Sequence, residues 1–250
     1  MTAQGIRLRH LAFHGPYRPP ARVDFGPGLN VIYGASNTGK SFIVDSLDFM
    51  LGGRGPLRDI PERVGYDRIL LAFETLTGAA YTLQRSVEGG PFRLFDGFFS
   101  DTLPADEGRG LADQHNDRND DNLSAFLLSK IGLSDRKLRR NKLGATQSLS
   151  IRNIARLIVV NEEEIIQQRS PLSDGNYVAD TANTAVFKLL ITGVDDSALE
   201  ASNRNGAQDA TRDAQVALLD EMIKDYTRQL KELAGPPKEL EEQLTPLEET

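Results

Sequence analysis

The sequence predicts an α/β fold followed by a long helical segment, and three observations support this. An apolar, β-branched run over residues 29–33 leads into a glycine-rich loop and then an amphipathic helix over 41–51. Three strand-like runs between residues 69 and 95, separated by glycine turns, indicate an antiparallel β meander. From residue 195 onward glycine is rare, and apolar residues recur at spacings of three and four.

The elements before and after the meander follow from local patterns. Residues 6–13 and 23–25 read as strands, separated by a loop over 15–20 that contains prolines. The meander itself predicts strands at 69–74, 81–83 and 92–95. Residues 104–122 are almost wholly polar and predict an exposed, flexible loop. Short helices are expected over 123–131, 151–157 and 184–192.

The C-terminal region carries a heptad pattern. Its apolar positions are Val216, Leu219, Ile223, Tyr226, Leu230 and Leu233, and the same phase continues through Leu240, Leu244 and Leu247. Residues 235–237 read Gly-Pro-Pro and must break the helix. The pattern predicts either a coiled-coil arm or an amphipathic helix packed on a globular domain. We therefore divide the chain into a lobe over 1–195 and a helical segment over 196–250.

Composition excludes several classes of protein. The 250 residues include 36 acidic and 29 basic side chains, for a formal net charge of −7. There is no cysteine, which excludes disulfide scaffolds, thiol nucleophiles and cysteine zinc sites. The three histidines argue against a multi-histidine metal centre. No apolar run reaches the roughly 18–20 residues of a membrane span, and residues 1–14 lack a signal core, so we expect a cytoplasmic protein without a membrane partner.

One motif carries chemistry: residues 34–41 match the phosphate-binding pattern G-x-x-x-x-G-K-S, which chance would produce in roughly one of 100 chains of this length. Its residues are Gly34, Ala35, Ser36, Asn37, Thr38, Gly39, Lys40 and Ser41. The glycines let successive amides point at a phosphate, and the following helix adds its N-terminal dipole. Lys40 is predicted to be the catalytic residue that reaches the β- and γ-phosphates, and Ser41 to ligate Mg²⁺.

The loop does not by itself identify the reaction. A GTPase needs N-K-x-D, and the nearest string, over 141–144, lacks the aspartate. Nothing marks the acceptor site or lid of a small-molecule kinase. The best candidate for a metal-holding Walker B strand is 157–163, but Asn161 occupies the position of the acid. We therefore do not assign a Walker B acid.

The segments around the loop resemble a known group of ATPases. Residues 25–33 read Phe-Gly-Pro-Gly-Leu-Asn-Val-Ile-Tyr, 45–52 follow the pattern D-x-L-x-F-x-L-G, and 81–85 form a strand-like run that ends in arginine. Over about 6–195 the chain resembles the N-terminal lobe of the SMC, RecN and SbcC group of ABC-type P-loop ATPases. In that group a coiled coil interrupts the ATPase, which favours the coiled-coil interpretation of the C-terminal heptads.

The resemblance implies ATP and Mg²⁺ as cofactors and DNA as a partner. It also implies a C-terminal lobe with an L-S-G-G signature, a second head in a homodimer and, as a further expectation, a nuclease. No L-S-G-G occurs in the sequence, so we expect a truncated or split form that lacks the C-terminal lobe. The group's metal-sensing glutamine follows the apolar strand that here is 158–160. Asn161 and Glu162 stand there, so Glu162 is a candidate metal ligand or part of a solvated turn.

A basic run follows the helix predicted over 123–131. Its members are Arg136, Lys137, Arg139, Arg140 and Lys142. Such a run can contact nucleic-acid phosphates, or it can be a solvent-exposed basic loop. No aromatic side chain that could stack on a base accompanies the run. The resemblance favours contact with DNA.

Three hypotheses about function remain at this point. The first is the ATP-binding lobe of an SMC-like ATPase in DNA repair, chromosome maintenance or phage defence, in which ATP drives head engagement. This lobe alone should hydrolyse ATP negligibly. The second is a nucleotide-binding assembly module without turnover. The third is a P-loop kinase with a helical tail, which predicts turnover by a monomer.

Overall fold

A computed structural model describes residues 4–103, 105–141, 144–168, 170, 172–173, 177–199 and 206–234. The chain divides into two compact units, residues 1–199 and 200–250. The first unit contains the sheet, the predicted phosphate-binding loop and the shorter helices, and the described part of the second unit is a long helix.

The first unit is built on a six-stranded antiparallel sheet with the order β2-β1-β3-β4-β5-β6. Its strands are β1 (Ile6–Gly15), β2 (Arg18–Asp24), β3 (Arg68–Thr75), β4 (Ala80–Ser86), β5 (Gly89–Asp96) and β6 (Arg109–Leu111). The meander predicted from the sequence is confirmed as β3–β5, and the first two predicted strands are confirmed as β1 and β2.

Two segments predicted as loops contain strands. Strand β2 begins within the proline-containing segment, and it tolerates Pro19 and Pro20 because it is an edge strand. Strand β6 lies inside 104–122, where Leu111 pairs with Phe92 and is 1% exposed. The prediction of a continuous polar loop over 104–122 is therefore wrong at β6, because one buried leucine among polar neighbours is enough to seat a short strand.

The α-helices of the first unit that concern the site and its core are α1 (Lys40–Met50), α2 (Leu123–Lys130), α3 (Ile151–Ile158), α4 (Glu162–Ile165) and α5 (Tyr177–Thr192). They confirm the helices predicted over 41–51, 123–131, 151–157 and 184–192. Helix α2 begins where the Asn122 side chain accepts a hydrogen bond from the Ala125 N–H, 2.9 Å away. Helix α3 begins with a capping box between Ser150 and Asn153.

The main core lies between the sheet and helices α1, α2 and α3. Phe73 and Phe92 on the sheet are fully buried against it, as are Met50 on α1 and Leu123 and Leu127 on α2. Burial of this apolar surface is the main force that holds α1 on the sheet. The core thereby fixes the direction in which the phosphate-binding loop projects.

A second, smaller core holds a short hairpin that the sequence did not predict. The hairpin consists of β7 (Lys137–Arg139) and β8 (Thr146–Ser148). Leu138 and Leu149 pack there with Val186 and Leu189 of α5. The basic run therefore belongs to a hairpin. Leu138 is buried between Lys137 and Arg139, and its packing holds this part of the run in place.

The strand predicted over 29–33 is absent from the structure. This segment pairs with no described strand, and Leu29, Val31 and Tyr33 are 91%, 72% and 91% exposed. The Asn30 side chain closes the preceding turn by bonding to Gly26 and Gly28. The prediction is wrong for the described residues because an apolar strand needs neighbouring strands to satisfy its amides and carbonyls.

The second unit contains helix α6 (Gly206–Ala234). Its described heptad side chains are 50–66% exposed: Val216, Leu219, Ile223, Tyr226 and Leu230. The side chain of Leu233, the predicted break at 235–237 and the heptad positions Leu240, Leu244 and Leu247 lie outside the described residues. Among the helices that the structure describes, none is both long and apolar enough to cross a membrane.

Candidate nucleotide-binding site

The predicted phosphate-binding loop lies at the surface, directly before α1. Residues 34–38 are exposed, Gly39 is half-buried and Lys40 begins the helix. Two residues have positive φ, Asn37 at 59° and Gly39 at 82°. These left-handed residues turn the chain sharply, as a loop must do to curl its amides around a phosphate.

The N-terminus of α1 is left free for an anion. Gly39 is its N-cap residue, no side chain caps the helix, and the first turn contains no acidic residue. The first amides of a helix have no partner within the helix, and they carry the positive end of its dipole. A phosphate group can accept hydrogen bonds from them without displacing any carboxylate.

The ammonium group of Lys40 folds back over the loop. Its Nζ donates to the carbonyl oxygens of Gly34 and Ala35 at 3.0 and 2.5 Å, and contacts Thr38 Oγ1 at 3.2 Å. No described carboxylate lies within ion-pair distance of it. Phosphate oxygens can replace these neutral acceptors with stronger, charge-assisted hydrogen bonds.

A mostly apolar cavity of about 280 Å³ opens beside the loop at Asn37, Thr38 and Gly39. Aromatic side chains from three separate segments line it: Phe13 of β1, Phe42 of α1 and Tyr66 of the segment before β3. The rings of Phe13 and Phe42 are stacked at 5.5 Å, and Tyr66 meets Phe13 edge-on at 6.3 Å. An apolar slot against a phosphate cradle suits the base of a nucleotide.

Sequence reasoning missed this cavity. Its lining residues also include Ala21 and Ile60, so they come from positions that are far apart in the chain. Each aromatic side chain taken alone has the pattern of a core residue. Only the packing of β1 against α1 brings these side chains together beside the loop.

The far end of α1 is anchored by a buried arginine, Arg85, which is 2% exposed. Its Nη1 donates to the carbonyls of Phe49 and Gly53 at 2.8 and 2.9 Å, and its Nε to that of Gly90 at 3.0 Å. The guanidinium lies 4.1 Å from the ring centre of Phe49 and 4.5 Å from that of Phe92. Burial lowers the pKa of Arg85 below its usual value.

A second arginine contacts the same end of α1. Arg152 of α3 donates through Nη1 to the Asp48 side chain at 2.7 Å and to the Asp48 carbonyl at 3.1 Å. Cations at a helix C-terminus complement its dipole. Arg85 and Arg152 therefore hold the helix that carries Lys40 and Ser41.

The two predicted metal ligands, Ser41 and Glu162, lie in the first turns of two different helices. Ser41 is exposed in the first turn of α1, where its hydroxyl can reach a metal held by bound phosphates. Glu162 is exposed at the start of α4, while the Asn161 side chain caps that helix by accepting from the Glu164 N–H at 2.9 Å. Across the described ranges, no three His, Asp or Glu side chains converge as a metal site. The candidate Walker B run over 157–163 is not a strand, since α3 ends and α4 begins within it.

The structure brings four of the predicted DNA-contacting residues together on the β7–β8 hairpin. Arg136, Lys137, Arg139 and Arg140 lie along β7 and its ends, and Lys142 lies outside the described residues. Lys137 Nζ lies 3.7 Å from a carboxylate oxygen of Asp117. Arg139 Nε donates to the Asn141 carbonyl at 2.8 Å. Arg136 and Arg140 make no side-chain hydrogen bond or ion pair with any residue that the structure describes.

The edge of the hairpin is anchored by carboxylates that follow α5. The backbone N–H groups of Lys137 and Arg139 donate to Asp195 and Asp196 at 3.2 and 2.9 Å. Asp196 also pairs with Lys188 of α5 at 2.6 Å. The hairpin therefore has a fixed position on the first unit, and its charged side chains project from a rigid base.

Comparison with known proteins identifies the family. A family model described as an AAA domain matches residues 12–249, nearly the whole chain. No curated protein matches the sequence. The match agrees with the phosphate-binding loop, the free N-terminus of α1 and the α/β architecture described above. The chain therefore belongs to the AAA domain family of P-loop ATPases, a family that binds nucleotide, usually with Mg²⁺.

Proposed function

We propose that this chain is the ATP-binding lobe of an SMC-like ATPase that acts on DNA in repair, chromosome maintenance or phage defence. One observation carries the proposal: an uncapped helix N-terminus and Lys40 face a phosphate-sized loop, with an aromatic cavity beside it. ATP requires both parts, because its triphosphate needs the cradle and its base needs the slot.

Binding follows from the chemistry of these residues. The α- and β-phosphates take the amides at the start of α1, and Lys40 exchanges the carbonyls of Gly34 and Ala35 for phosphate oxygens. The Ser41 hydroxyl ligates Mg²⁺, which neutralises charge on the phosphates. The adenine ring enters the cavity between Phe42 and Tyr66.

A second lobe completes the head in this proposal. The apolar segment 29–33 leads directly into the phosphate-binding loop, yet its side chains face solvent and its backbone pairs with no described strand. Strand addition by a C-terminal ATPase lobe would bury these side chains and satisfy their amides. Two complete heads then close on ATP, which acts as a clamp between them.

The remaining partners are proposed from charge and periodicity. Arg136 and Arg140 of the hairpin contact DNA phosphates. The exposed stripe of α6, centred on Ile223, pairs with another helix as a coiled-coil arm. A nuclease partner and a cytoplasmic location are part of the same proposal.

A phosphate-release assay distinguishes the lobe from a kinase. The chain alone, with Mg²⁺ and ATP, should release phosphate far more slowly than the ~1 s⁻¹ of a working enzyme, since none of the described residues places a Walker B acid beside Lys40. Turnover near 1 s⁻¹ that disappears in Lys40→Ala and persists in the control Lys224→Ala would contradict the half-head proposal. Turnover that also requires a small hydroxylated acceptor would favour the kinase.

A further inference from the structure

The segment between β6 and α2 folds into a closed loop that faces the basic hairpin. This acidic loop, residues 113–121, contains four aspartates and one arginine. Its base is closed by the Ala112 N–H, which donates to the Asp121 carbonyl, and by the Leu123 N–H, which donates to the Ala112 carbonyl, both at 2.9 Å. The buried side chain of Asn122 ties the loop from inside by donating to two of its carbonyls.

Two contacts join the acidic loop to the hairpin. The carboxylate of Asp117 lies 3.7 Å from Lys137 Nζ, and both side chains remain partly exposed. His115 Nε2 forms a hydrogen bond of 2.9 Å with the hydroxyl of Ser148 on β8. The second ring nitrogen of His115 is buried without a described partner. One of these described contacts is a long ion pair and the other is a neutral hydrogen bond.

A cavity of about 450 Å³ lies where the acidic loop meets the hairpin. Its charged lining is mixed: Arg109, Lys130, Arg136 and Lys137 contribute cations, and Asp117, Asp120 and Asp135 contribute carboxylates. Arg109 is itself paired with Asp121 of the acidic loop. Two of these carboxylates belong to the acidic loop. They lower the positive potential at the place where phosphates would approach Arg136 and Lys137.

We propose that the acidic loop competes with nucleic-acid phosphates for the basic hairpin and so regulates nucleic-acid binding. This inference rests on the proposed DNA contact of the hairpin. A duplex on Arg136 whose phosphates also reach the adjacent Lys137 must displace the carboxylate of Asp117 and bring those phosphates near Asp120. The length of the Asp117–Lys137 ion pair makes that displacement possible, while the negative charge of the loop makes it costly.

The charge on the acidic loop provides the first test. Asp117→Asn with Asp120→Asn keeps the size of both side chains and removes both negative charges. Binding of a fluorescent 30-base-pair duplex to the full chain should tighten about tenfold at 50 mM salt, and less at 150 mM. Glu88→Gln with Asp96→Asn changes the net charge equally but lies outside the cavity, so it should change the affinity by less than about twofold. Equal tightening by both double variants would overturn the inference.

The placement of the loop provides a second test that leaves the carboxylates unchanged. His115→Ala removes the hydrogen bond to Ser148, so the loop should leave the hairpin more easily and the duplex should bind about threefold more tightly, a fraction of the net worth of one hydrogen bond. The inference would be overturned if His115→Ala and the double aspartate variant both bound the duplex with the same affinity as the unmodified chain.

A hairpin variant separates this inference from the proposed function. Arg136→Ala with Arg140→Ala should weaken duplex binding, because it removes two phosphate contacts. Weakening in this variant without tightening in the aspartate variant rejects only the competition by the loop. Unchanged binding in the hairpin variant, or no binding by any variant, rejects the DNA contact and the competition together.

Discussion

Replacing Arg85 with methionine should destabilise the first unit strongly while leaving the phosphate-binding loop untouched. Methionine can occupy part of the space between the rings of Phe49 and Phe92. It cannot donate to the carbonyls of Phe49, Gly53 and Gly90, which the guanidinium now satisfies. The substitution therefore removes a set of hydrogen bonds without opening a large cavity.

The magnitude follows from the groups that lose their partner. The buried carbonyl of Gly53 loses its described donor, which costs about 1–3 kcal/mol, and each of the two ring contacts with the cation contributes about 0.5–2 kcal/mol. The Phe49 carbonyl keeps the Gly52 N–H as a donor, and the exposed Gly90 carbonyl can bond to water, so their loss adds little. Burial of the Arg85 charge is unfavourable and lowers its pKa in the folded protein. Methionine removes this unfavourable burial, which offsets part of the loss. We expect the free energy of unfolding to fall by about 3 kcal/mol, and the melting temperature by about 6–12 °C.

Thermal denaturation followed by circular dichroism measures this effect. Arg93→Met on the neighbouring strand is the matched control, because Arg93 is exposed and donates to only one described carbonyl, that of Glu107. The control should melt within about 2 °C of the unmodified chain, since surface substitutions change stability little. Arg85→Lys, which keeps the charge but has fewer donors, should fall between the two. Equal melting temperatures for Arg85→Met and Arg93→Met would refute the anchoring of α1 by Arg85.

Two further predictions concern backbone packing and pH. A Cβ atom on Gly15 would lie 1.7 Å from the Gly65 carbonyl oxygen, so Gly15→Ala should lower the free energy of unfolding by more than about 2 kcal/mol. Gly110 has open space where a Cβ atom would lie, so the control Gly110→Ala should lower it by less than about 1 kcal/mol. Urea denaturation measures both values. The hydrogen bond from Arg68 lowers the pKa of Asp67. The ionised carboxylate therefore stabilises the fold above its unfolded pKa of about 4, and this stabilisation is lost as the pH falls through the folded pKa. Asp67→Asn should therefore flatten the loss of stability between about pH 5 and pH 3 in acid denaturation, and an unchanged pH profile would contradict the pairing.

Local signals in the sequence predicted the elements whose residues are close in the chain. Helix α1 follows from apolar spacing within one segment, and the meander follows from glycine turns between strands that are adjacent in the chain. Residues 29–33 show the limit of that reasoning. Their apolar, β-branched composition predicts a strand, but a strand also needs neighbours, and the described residues provide none.

Only the part of the candidate site that lies in one continuous segment could be predicted from the sequence. The motif over 34–41 predicts a phosphate cradle because every group in it comes from one continuous segment. The aromatic cavity and the anchor at Arg85 are assembled from distant segments, so no local pattern indicates them. The basic run was recognised, but its hairpin was not, because strands of three residues lack a readable alternation.

Equilibrium binding of Mg²⁺–ATP to the full chain, measured by isothermal titration calorimetry, tests the central claim most directly. The unmodified chain and the control Lys224→Ala should bind one ATP with the same affinity. Lys40→Ala should lose binding by at least about 100-fold, because a charge-assisted contact to the phosphates is worth about 3 kcal/mol in a site of this kind. Its melting temperature should stay unchanged, since the described hydrogen bonds of the Lys40 ammonium are all to groups of the loop. Equal ATP affinity in all three proteins would contradict the assignment of residues 34–41 as the phosphate cradle.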